Sequence, residues 1–350
     1  MSLRPQLRQL LEQRAHLTRI EARDLLNTIL TGDSTGIEIA AIIGALASRG
    51  ETAAEIAGFV DAMRSAATPF PMDEAQRSQL VDTCGTGGDN SGTFNISTAA
   101  ALVAAAAGAK VAKHGNRAVT STSGSADVLE ALGVPVDLSP SAAAEAIRSH
   151  NFAFLHAPSL HSAMKIVMPV RRALGVRTVF NLLGPLANPA GASAQIMGVY
   201  SADRVAVVAE AMLLLGARHA FVVHGSYGDT PEKGMDELSI SGPSQVAEVR
   251  DGAVTHRTIT PENLGLSRAP IESLRGGDAH TNAAILTRIF SGEPGPTRDI
   301  VVLNAAAVLV TSTLASDLHE GIALAQHTID SGAVNTLLGL LAGKKAELPQ

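Results

Sequence analysis

The first 70 residues carry apolar positions at helical spacing, and each apolar stretch begins after a polar residue. Three threonines are each followed three positions later by a glutamate: Thr18 with Glu21, Thr35 with Glu38, and Thr52 with Glu55. This spacing is typical of a capping box at a helix start. Gly32 and Gly50 stand where the first two helices would end. The pattern predicts a small helical domain over residues 1–70.

After Pro69-Phe70-Pro71, which cannot continue a helix, the pattern changes to alternating strand-like and helix-like segments. The strand-like runs are residues 78–83, 109–115, 152–157, 193–201 and 219–225. Helices between strands imply crossover connections and a largely parallel sheet. We therefore predict a small helical domain plus a larger α/β domain, residues 75–345, whose mainly parallel central sheet is flanked by helices. The helical, arginine-bearing segment at about 161–190 is predicted to pack on the helical domain.

Composition excludes several classes of protein. Of 350 residues, 46% are hydrophobic and 3% aromatic, and the formal net charge is −6. That charge gives no electrostatic reason to expect nucleic acid as a partner. Cys84 is the only cysteine, so neither an intramolecular disulfide nor a multi-cysteine metal cluster can form. The polar, basic start is no signal peptide, and no apolar run is long enough to span a bilayer, which predicts a cytoplasmic protein without a membrane partner.

A glycine-rich loop, Gly85-Thr86-Gly87-Gly88-Asp89, lies between a predicted strand and a helix that begins near Ser97. Such a loop leaves N–H groups free, and its glycines let phosphate oxygens approach the backbone closely. The sequence matches neither a Walker A loop nor the dinucleotide fingerprint. The alternative is a tight turn with Ser97 as a helix cap.

A second loop, residues 113–133, also leaves a strand and enters a helix rich in Ser and Thr. Lys113, His114 and Arg117 supply positive charge there, and Asn116 supplies an amide. Both loops follow the carboxyl ends of predicted strands, which is where ligands bind in open α/β sheets.

Two further elements suggest a metal and an anionic ligand. Asp236 and Glu237 are adjacent hard oxygen donors of the kind that hold Mg²⁺ together with substrate phosphates, unless they are simply solvated. Arg171, Arg172 and Arg177 lie among apolar residues, and an arginine can grip a carboxylate through two hydrogen bonds. No nucleophile–base pair is visible, so positioning and electrostatics are favoured over covalent catalysis, and no catalytic residue is assigned.

The motifs together resemble the anthranilate phosphoribosyltransferase family. GTGGD, N-x-S-T, KHGNR with SGSADVLEALG, R-x-x-L-G-x-R-T-x-F-N-x-L-G-P-L-x-N-P and the final Asp-Glu pair occur in that order. The resemblance covers nearly the whole chain. It implies transfer of a phosphoribosyl group from phosphoribosyl pyrophosphate to the amino nitrogen of anthranilate in tryptophan biosynthesis. It also implies a homodimer joined through the helical domain and a requirement for Mg²⁺.

The resemblance also assigns roles to matching positions. Phosphoribosyl pyrophosphate would be surrounded by Gly85, Gly88, Asp89, Thr93, Asn95, Ser97, Thr98, Lys113, Ser121 and Ser125. Anthranilate would be bound by Gly85, His114, Asn116, His161, Arg171 and Pro185. Mg²⁺ would be held by Ser97, Asp236 and Glu237.

The chain departs from the family pattern at His156, where a bulky apolar residue is usual, and at Ser162, where proline is usual. The segment before Asp236 is also longer than usual, which leaves the local loop geometry open. Two alternatives remain: a pyrimidine nucleoside phosphorylase-like enzyme, which shares this architecture, and a nucleic-acid-binding paralogue, which would call for a basic surface.

Overall fold

The N-terminal helical domain follows the predicted capping signals. The structure, a computed structural model, describes residues 3–118, 122–228 and 233–343. The helices of this domain are α1 (Arg4–Leu7, continued by a π-helical turn, Arg8–Glu12), α2 (Arg19–Leu30), α3 (Gly36–Arg49) and α4 (Ala53–Ser65). All three predicted capping boxes are formed, with each threonine and glutamate bonded reciprocally. Gly32 and Gly50 adopt φ values of +84° and +85° past the ends of α2 and α3, as predicted.

The larger domain is built on one sheet. After a short helix, α5 (Glu74–Arg77), its strands are β1 (Leu80–Gly85), β2 (Lys110–Gly115), β3 (Phe152–His156), β4 (Ala194–Gly198), β5 (His219–Ser226), β6 (Gly234–Met235), β7 (Ser244–Arg250) and β8 (Ala253–Ile259). The strand order is β3-β2-β1-β4-β5-β7-β8, with β6 paired to β5. Strands β1 to β5 are parallel, which confirms the predicted mainly parallel sheet. The antiparallel hairpin of β7 and β8 at one edge lies outside the predicted strands.

Helices cover both faces of the sheet. They are α6 (Ile96–Ala106), α7 (Ser125–Ala131), α8 (Pro140–His150), α9 (Ala157–Leu160), α10 (Met168–Leu174), α11 (Phe180–Leu186), α12 (Arg204–Leu214), α13 (Ala279–Phe290), α14 (Pro296–Thr311), α15 (Leu318–Asp330) and α16 (Ala333–Leu341). Short 3₁₀ segments span Ser162–Ile166, Glu262–Leu264 and Ile271–Leu274. In β4, Ile196 belongs to the buried cluster that includes α6 and α13 to α16, whereas Met197 belongs to the cluster that includes α11, α12 and the helical domain. This alternation is why the strands are apolar on both faces.

The segment between β3 and β4 contacts the N-terminal helices. Val167 and Leu183 belong to the same buried cluster as Leu25 of α2 and Ile42 of α3. The Arg64 guanidinium at the end of α4 donates two hydrogen bonds to the Leu186 carbonyl of α11. In the described parts of the chain, no helix is both long enough and apolar enough to cross a bilayer.

Candidate active site

The glycine-rich loop leaves the carboxyl end of β1 and is held in place by side chains distant in sequence. Gly87 and Gly88 have φ values of +70° and +73°, a conformation that glycine adopts without strain. The Gly87 N–H donates to Asp236 Oδ2 at 2.7 Å, and the Arg177 guanidinium donates to the Gly88 carbonyl. One loop N–H is therefore occupied by a carboxylate, in contrast to the free N–H groups expected from sequence.

The adjacent carboxylates Asp236 and Glu237 follow β6 and lie against β1, β4 and α6. A Cβ on Gly198 would stand 1.5 Å from the Asp236 carbonyl oxygen, so only glycine permits this approach. Glu237 Oε1 accepts a hydrogen bond from the Ser97 N–H at 2.9 Å, in the first turn of α6. The fold thus brings together the three residues predicted to hold the metal. The preceding residues 229–232 lie outside the described chain.

The donor set at these carboxylates fits Mg²⁺. Burial and the neighbouring Asp89 carboxylate together raise the pKa of Asp236 to about 7. Burial and the adjacent Asp236 carboxylate, with a smaller contribution from Asp89, raise the pKa of Glu237 to about 8. Three acidic groups are thus crowded together, and the buried Lys113 ammonium acts against the shift of Glu237. Mg²⁺ is usually held in proteins by one or two carboxylates together with water and substrate phosphates. The residues present therefore match the cation that the sequence predicts.

Lys113, near the end of β2, is buried beneath the loop, with 1% of its surface exposed. Its Nζ donates to the Thr83 carbonyl at 2.6 Å and to Ser97 Oγ at 3.4 Å. The buried Asp82 carboxylate accepts a hydrogen bond from the His114 N–H and attracts the Lys113 charge, although burial still raises the pKa of Asp82 to about 6. Lys113 therefore brings a positive charge to the site without exposing it to solvent.

A cavity of about 290 Å³ lies beside the glycine-rich loop. It is lined by Gly88, Asp89, Asn90, Ser91, Gly92, Thr93, Thr122, Ser123, Gly276, Gly277 and Asn282. The Asn282 amide donates to Asn95 Oδ1 at 2.8 Å, while its oxygen accepts from the Gly277 N–H at 2.7 Å. The first bond joins the start of α6 to α13, and the second holds Asn282 against the loop that precedes α13. Ser121, predicted for the same site, lies outside the described residues.

The remaining phosphate candidates lie at helix starts. Thr98, in the first turn of α6, is fully buried, and its hydroxyl has no hydrogen-bond partner in the described residues. Ser125 is the first residue of α7, and its Cβ lies 3.5 Å from where a Cβ on Gly115 would stand. Two helix N-termini therefore lie near the carboxyl ends of β1 and β2, where an anion is stabilised.

Two buried histidines lie side by side in the predicted anthranilate site. The rings of His114 and His161 are 5.2 Å apart in an edge-on arrangement. Burial lowers the pKa of His114 to about 3 and also lowers the pKa of His161, so both rings are neutral at pH 7. His114 Nδ1 bonds the Gly184 carbonyl at 3.1 Å, and neither Nε2 atom has a partner among the described residues.

The other candidates for this site lie on α10, α11 and the second loop. The half-buried Arg171 guanidinium lies 5.5 Å from the Phe180 ring centroid. Burial lowers its pKa, and no carboxylate in the described chain offsets that effect. Pro185 is inside α11, and Asn116 is exposed with its oxygen bonded to the Arg117 N–H. The expectation that His114 and Arg117 supply positive charge to the second loop is wrong. The His114 ring is neutral, and the Arg117 guanidinium is paired with Asp127 and Glu130 of α7.

The sequence reasoning missed several residues that shape the site. Asn188 donates to Asp82 Oδ2 at 2.9 Å and to the Ala112 carbonyl at 2.8 Å, which ties β1 to β2. The sequence around Asn282 does indicate a site, because Gly276-Gly277-Asp278 just before its helix repeats the Gly-Gly-Asp of the first loop. No sequence pattern identifies Asp82, since the position of a carboxylate inside a strand does not indicate which residues bond to it.

The chain joins a helical domain to an α/β sheet, and both parts match family models of a class of transferase. The family model described as "Glycosyl transferase family, helical bundle domain" matches residues 4–67, and "Glycosyl transferase family, a/b domain" matches residues 77–335. The second match alone covers more than half of the chain.

Similarity to individual proteins shows which family within this class the chain belongs to. Anthranilate phosphoribosyltransferase of Symbiobacterium thermophilum is 50% identical over 95% of this chain and 94% of its own length. The crystal structure of anthranilate phosphoribosyltransferase from Thermus thermophilus has a TM-score of 0.88 at 44% identity, covering 96% of this chain and 98% of that one. The Saccharomyces cerevisiae enzyme in complex with PRPP and Mg has a TM-score of 0.85 at 28% identity, covering 97% of each chain. The chain belongs to the anthranilate phosphoribosyltransferase family.

Proposed function

We propose that this protein transfers the phosphoribosyl group of 5-phosphoribosyl 1-pyrophosphate to the amino nitrogen of anthranilate, with release of pyrophosphate, in tryptophan biosynthesis. One observation supports this proposal above the others. At one edge of the sheet lie the Gly85–Asp89 loop, the Asp236–Glu237 pair and Lys113, with two buried neutral histidines beside them. Such a site suits an activated, multiply phosphorylated sugar and a small aromatic acceptor. The family relatives support the same reaction.

The phosphate groups would lie between the two loops. Gly88, Asp89 and Thr93 line the cavity beside the first loop, and the starts of α6 and α7 present N–H groups near the same edge. Lys113 adds a buried positive charge from below. These groups stabilise negative charge that develops on pyrophosphate as the bond to ribose breaks.

The magnesium ion would be held by Asp236, Glu237 and Ser97. When bound, it would neutralise part of the charge on the leaving pyrophosphate. The Gly87 and Ser97 N–H groups fix one oxygen of each carboxylate, so the chain itself orients both ligands before a cation binds. Gly85 and Gly198 allow Asp236 to approach the ends of β1 and β4.

The acceptor would bind beside His114 and His161. Their neutral rings offer an apolar surface to the aromatic ring of anthranilate. The Arg171 guanidinium, which has no carboxylate beside it in the described chain, is suited to the carboxylate of anthranilate. An aromatic amine is already neutral at pH 7 and retains its nucleophilic electron pair, so the proposal assigns no general base.

We further propose direct displacement without a covalent intermediate. Cys84, the one thiol in the chain, is buried, and burial raises its pKa, which suppresses the nucleophilic thiolate. Ser97 and Thr98 sit in the first turn of a helix, and no histidine is bonded to either hydroxyl in the described residues. The chain then acts by holding the two substrates in line and by stabilising the leaving group.

The test is fluorescence-detected formation of phosphoribosylanthranilate by purified protein with both substrates and Mg²⁺. Asp236→Ala combined with Glu237→Ala should lose most of the activity, whereas the control Asp251→Ala, at a highly exposed turn, should retain it. Phosphorolysis of uridine in place of anthranilate turnover would favour the nucleoside phosphorylase alternative. A gel shift with single-stranded DNA and no turnover would favour the nucleic-acid-binding paralogue.

We also propose a homodimer joined through the helical domain. Ile37 at the start of α3 is 83% exposed, and Val176 after α10 is 62% exposed. The segments that carry them pack together, because a Cβ on Gly36 at the start of α3 would be 3.6 Å from Val170 of α10. Ile37→Glu should convert a dimer to a monomer in light scattering, and a wild-type protein that is already monomeric would contradict the proposal. The cytoplasmic location and the absence of a nucleic-acid partner stay predictions.

A further inference from the structure

Arg177 reaches the glycine-rich loop from the connection between α10 and α11. Its guanidinium donates to the Gly88 carbonyl and lies 4.5 Å from the centroid of the Tyr200 ring, just after β4. Although exposed, the side chain is thus held by two neutral partners at once. Stacking of arginine on an aromatic face is favourable and restricts the side chain to one direction.

The other anchors of this loop act on its first half and on the Asp89 side chain, whose carboxylate accepts from the Asp236 and Ser91 N–H groups, both at 3.4 Å. Thr86 donates its N–H to the Gly198 carbonyl at 2.9 Å, and its hydroxyl accepts from the Tyr200 N–H at 3.0 Å. The Gly87 N–H is bonded to Asp236. Among the described residues, the Gly88 carbonyl has Arg177 as its hydrogen-bond donor and no second one. The orientation of the peptide unit between Gly88 and Asp89 therefore depends on Arg177.

That orientation matters because Gly87 and Gly88 are consecutive residues with positive φ. Glycine samples many backbone conformations, so the following peptide plane is free to rotate unless a bond fixes it. In a trans peptide the carbonyl and the N–H point in opposite directions. A Gly88 carbonyl directed at Arg177 therefore directs the Asp89 N–H away from Arg177.

We infer that Arg177 is a positioning residue for the phosphoribosyl pyrophosphate site, which fixes the Gly88–Asp89 peptide so that its N–H is presented to the pyrophosphate group. The inference rests on the proposed function. It assigns Arg177 to the donor substrate, whereas Arg171, six residues earlier, is assigned to the acceptor. The Tyr200 ring holds Arg177 in this position.

The competing role for Arg177 is direct contact between its positive charge and the pyrophosphate. Arg177→Lys separates the two roles, because lysine keeps the charge but loses the planar stacking surface and the fork of donors. Tyr200→Leu also separates the two roles, because it removes the ring on which Arg177 stacks and leaves the charge of Arg177 unchanged.

The experiment measures phosphoribosyl pyrophosphate binding by calorimetry, the KM of each substrate, and Tm. Arg177→Ala should weaken binding of phosphoribosyl pyrophosphate about tenfold and raise its KM equally, since a charge-assisted hydrogen bond is lost. Tyr200→Leu should weaken it about two- to fivefold, as expected for a lost cation–π contact. The KM for anthranilate and Tm should stay near wild type, and Arg177→Lys should not restore binding. Arg172→Ala, a matched exposed arginine, should leave all these constants unchanged.

Several outcomes would overturn the inference. Unchanged binding in Arg177→Ala would mean that the carbonyl contact does not position the loop. Full rescue by Arg177→Lys with no effect of Tyr200→Leu would assign Arg177 to direct charge contact. Equal losses for both substrates, or a large fall in Tm, would assign it a structural role. A wild-type protein that makes no phosphoribosylanthranilate would instead contradict the proposed function.

Discussion

A Cβ placed on Gly85 would lie 2.1 Å from Asp236 Oδ2, so the last residue of β1 and a carboxylate 151 positions later are in direct contact. Gly85→Ala should displace that carboxylate and break its bond to the Gly87 N–H. We expect the half-saturating Mg²⁺ concentration for turnover to rise at least about tenfold, because a hydrogen bond to a charged group is lost.

The control for this change is Gly339→Ala in α16, where a Cβ would meet no atom within 4 Å. That variant should keep wild-type Mg²⁺ dependence and gain up to about 1 kcal/mol in stability, since alanine favours a helix. Unchanged Mg²⁺ dependence in the Gly85→Ala protein would show that the Asp236 position is not needed for the metal.

Arg171→Ala should lower kcat/KM for anthranilate by about one to two orders of magnitude, because the loss of a charge-assisted bond costs roughly 1.5–3 kcal/mol. Binding of phosphoribosyl pyrophosphate should change little. The neighbouring Arg172 is exposed and makes Arg172→Ala a matched control, which steady-state kinetics should find near wild type. Equal losses for both substrates would mean that Arg171 is structural or bridges the two sites.

His114 predicts a pH dependence of stability. Burial lowers its folded-state pKa to about 3, below the unfolded value near 6.5, so the unfolded state binds a proton first as pH falls. The native state should therefore lose stability between about pH 6.5 and pH 3. At pH 5 the loss from this group amounts to about 2 kcal/mol relative to pH 7.

The test is urea unfolding of wild type and His114→Asn at pH 7 and pH 5. Asparagine keeps a donor for the Gly184 carbonyl but does not titrate. Between pH 7 and pH 5 this variant should therefore lose about 2 kcal/mol less stability than wild type. His280→Asn changes an exposed histidine and leaves His114 in place, so it should follow wild type. Parallel pH profiles for wild type and the His114→Asn variant would refute the assignment.

Asp82→Asn should destabilise the protein by about 3–5 kcal/mol. The buried carboxylate accepts bonds from the His114 N–H and the Asn188 amide, and it compensates the buried Lys113 charge. An amide at residue 82 would place its own N–H donor against that of His114 or that of Asn188. Denaturant unfolding measures the loss, and Asp137→Asn, at an exposed carboxylate beside His156, should cost at most about 1 kcal/mol. Similar costs for the two variants would contradict a central role for Asp82.

The sequence by itself determined the local elements. Each capping box needs only a threonine and a glutamate three positions apart, so Thr18, Thr35 and Thr52 marked three helix starts correctly. The apolar runs gave the parallel strands, because strands buried on both faces are continuously apolar. The β7–β8 hairpin was missed, because most of β8 is exposed and therefore polar.

Tertiary structure alone decided how the site is assembled. The Gly87–Asp236 bond joins residues 149 positions apart, and the Asn95–Asn282 bond joins residues 187 apart. Spacing in the chain carries no record of such contacts, since they form only when the sheet places strand ends side by side. The same holds for charge, because Arg117 and Arg177 are equally basic in sequence. In the structure, Arg117 is paired with two carboxylates, whereas Arg177 donates to the Gly88 carbonyl.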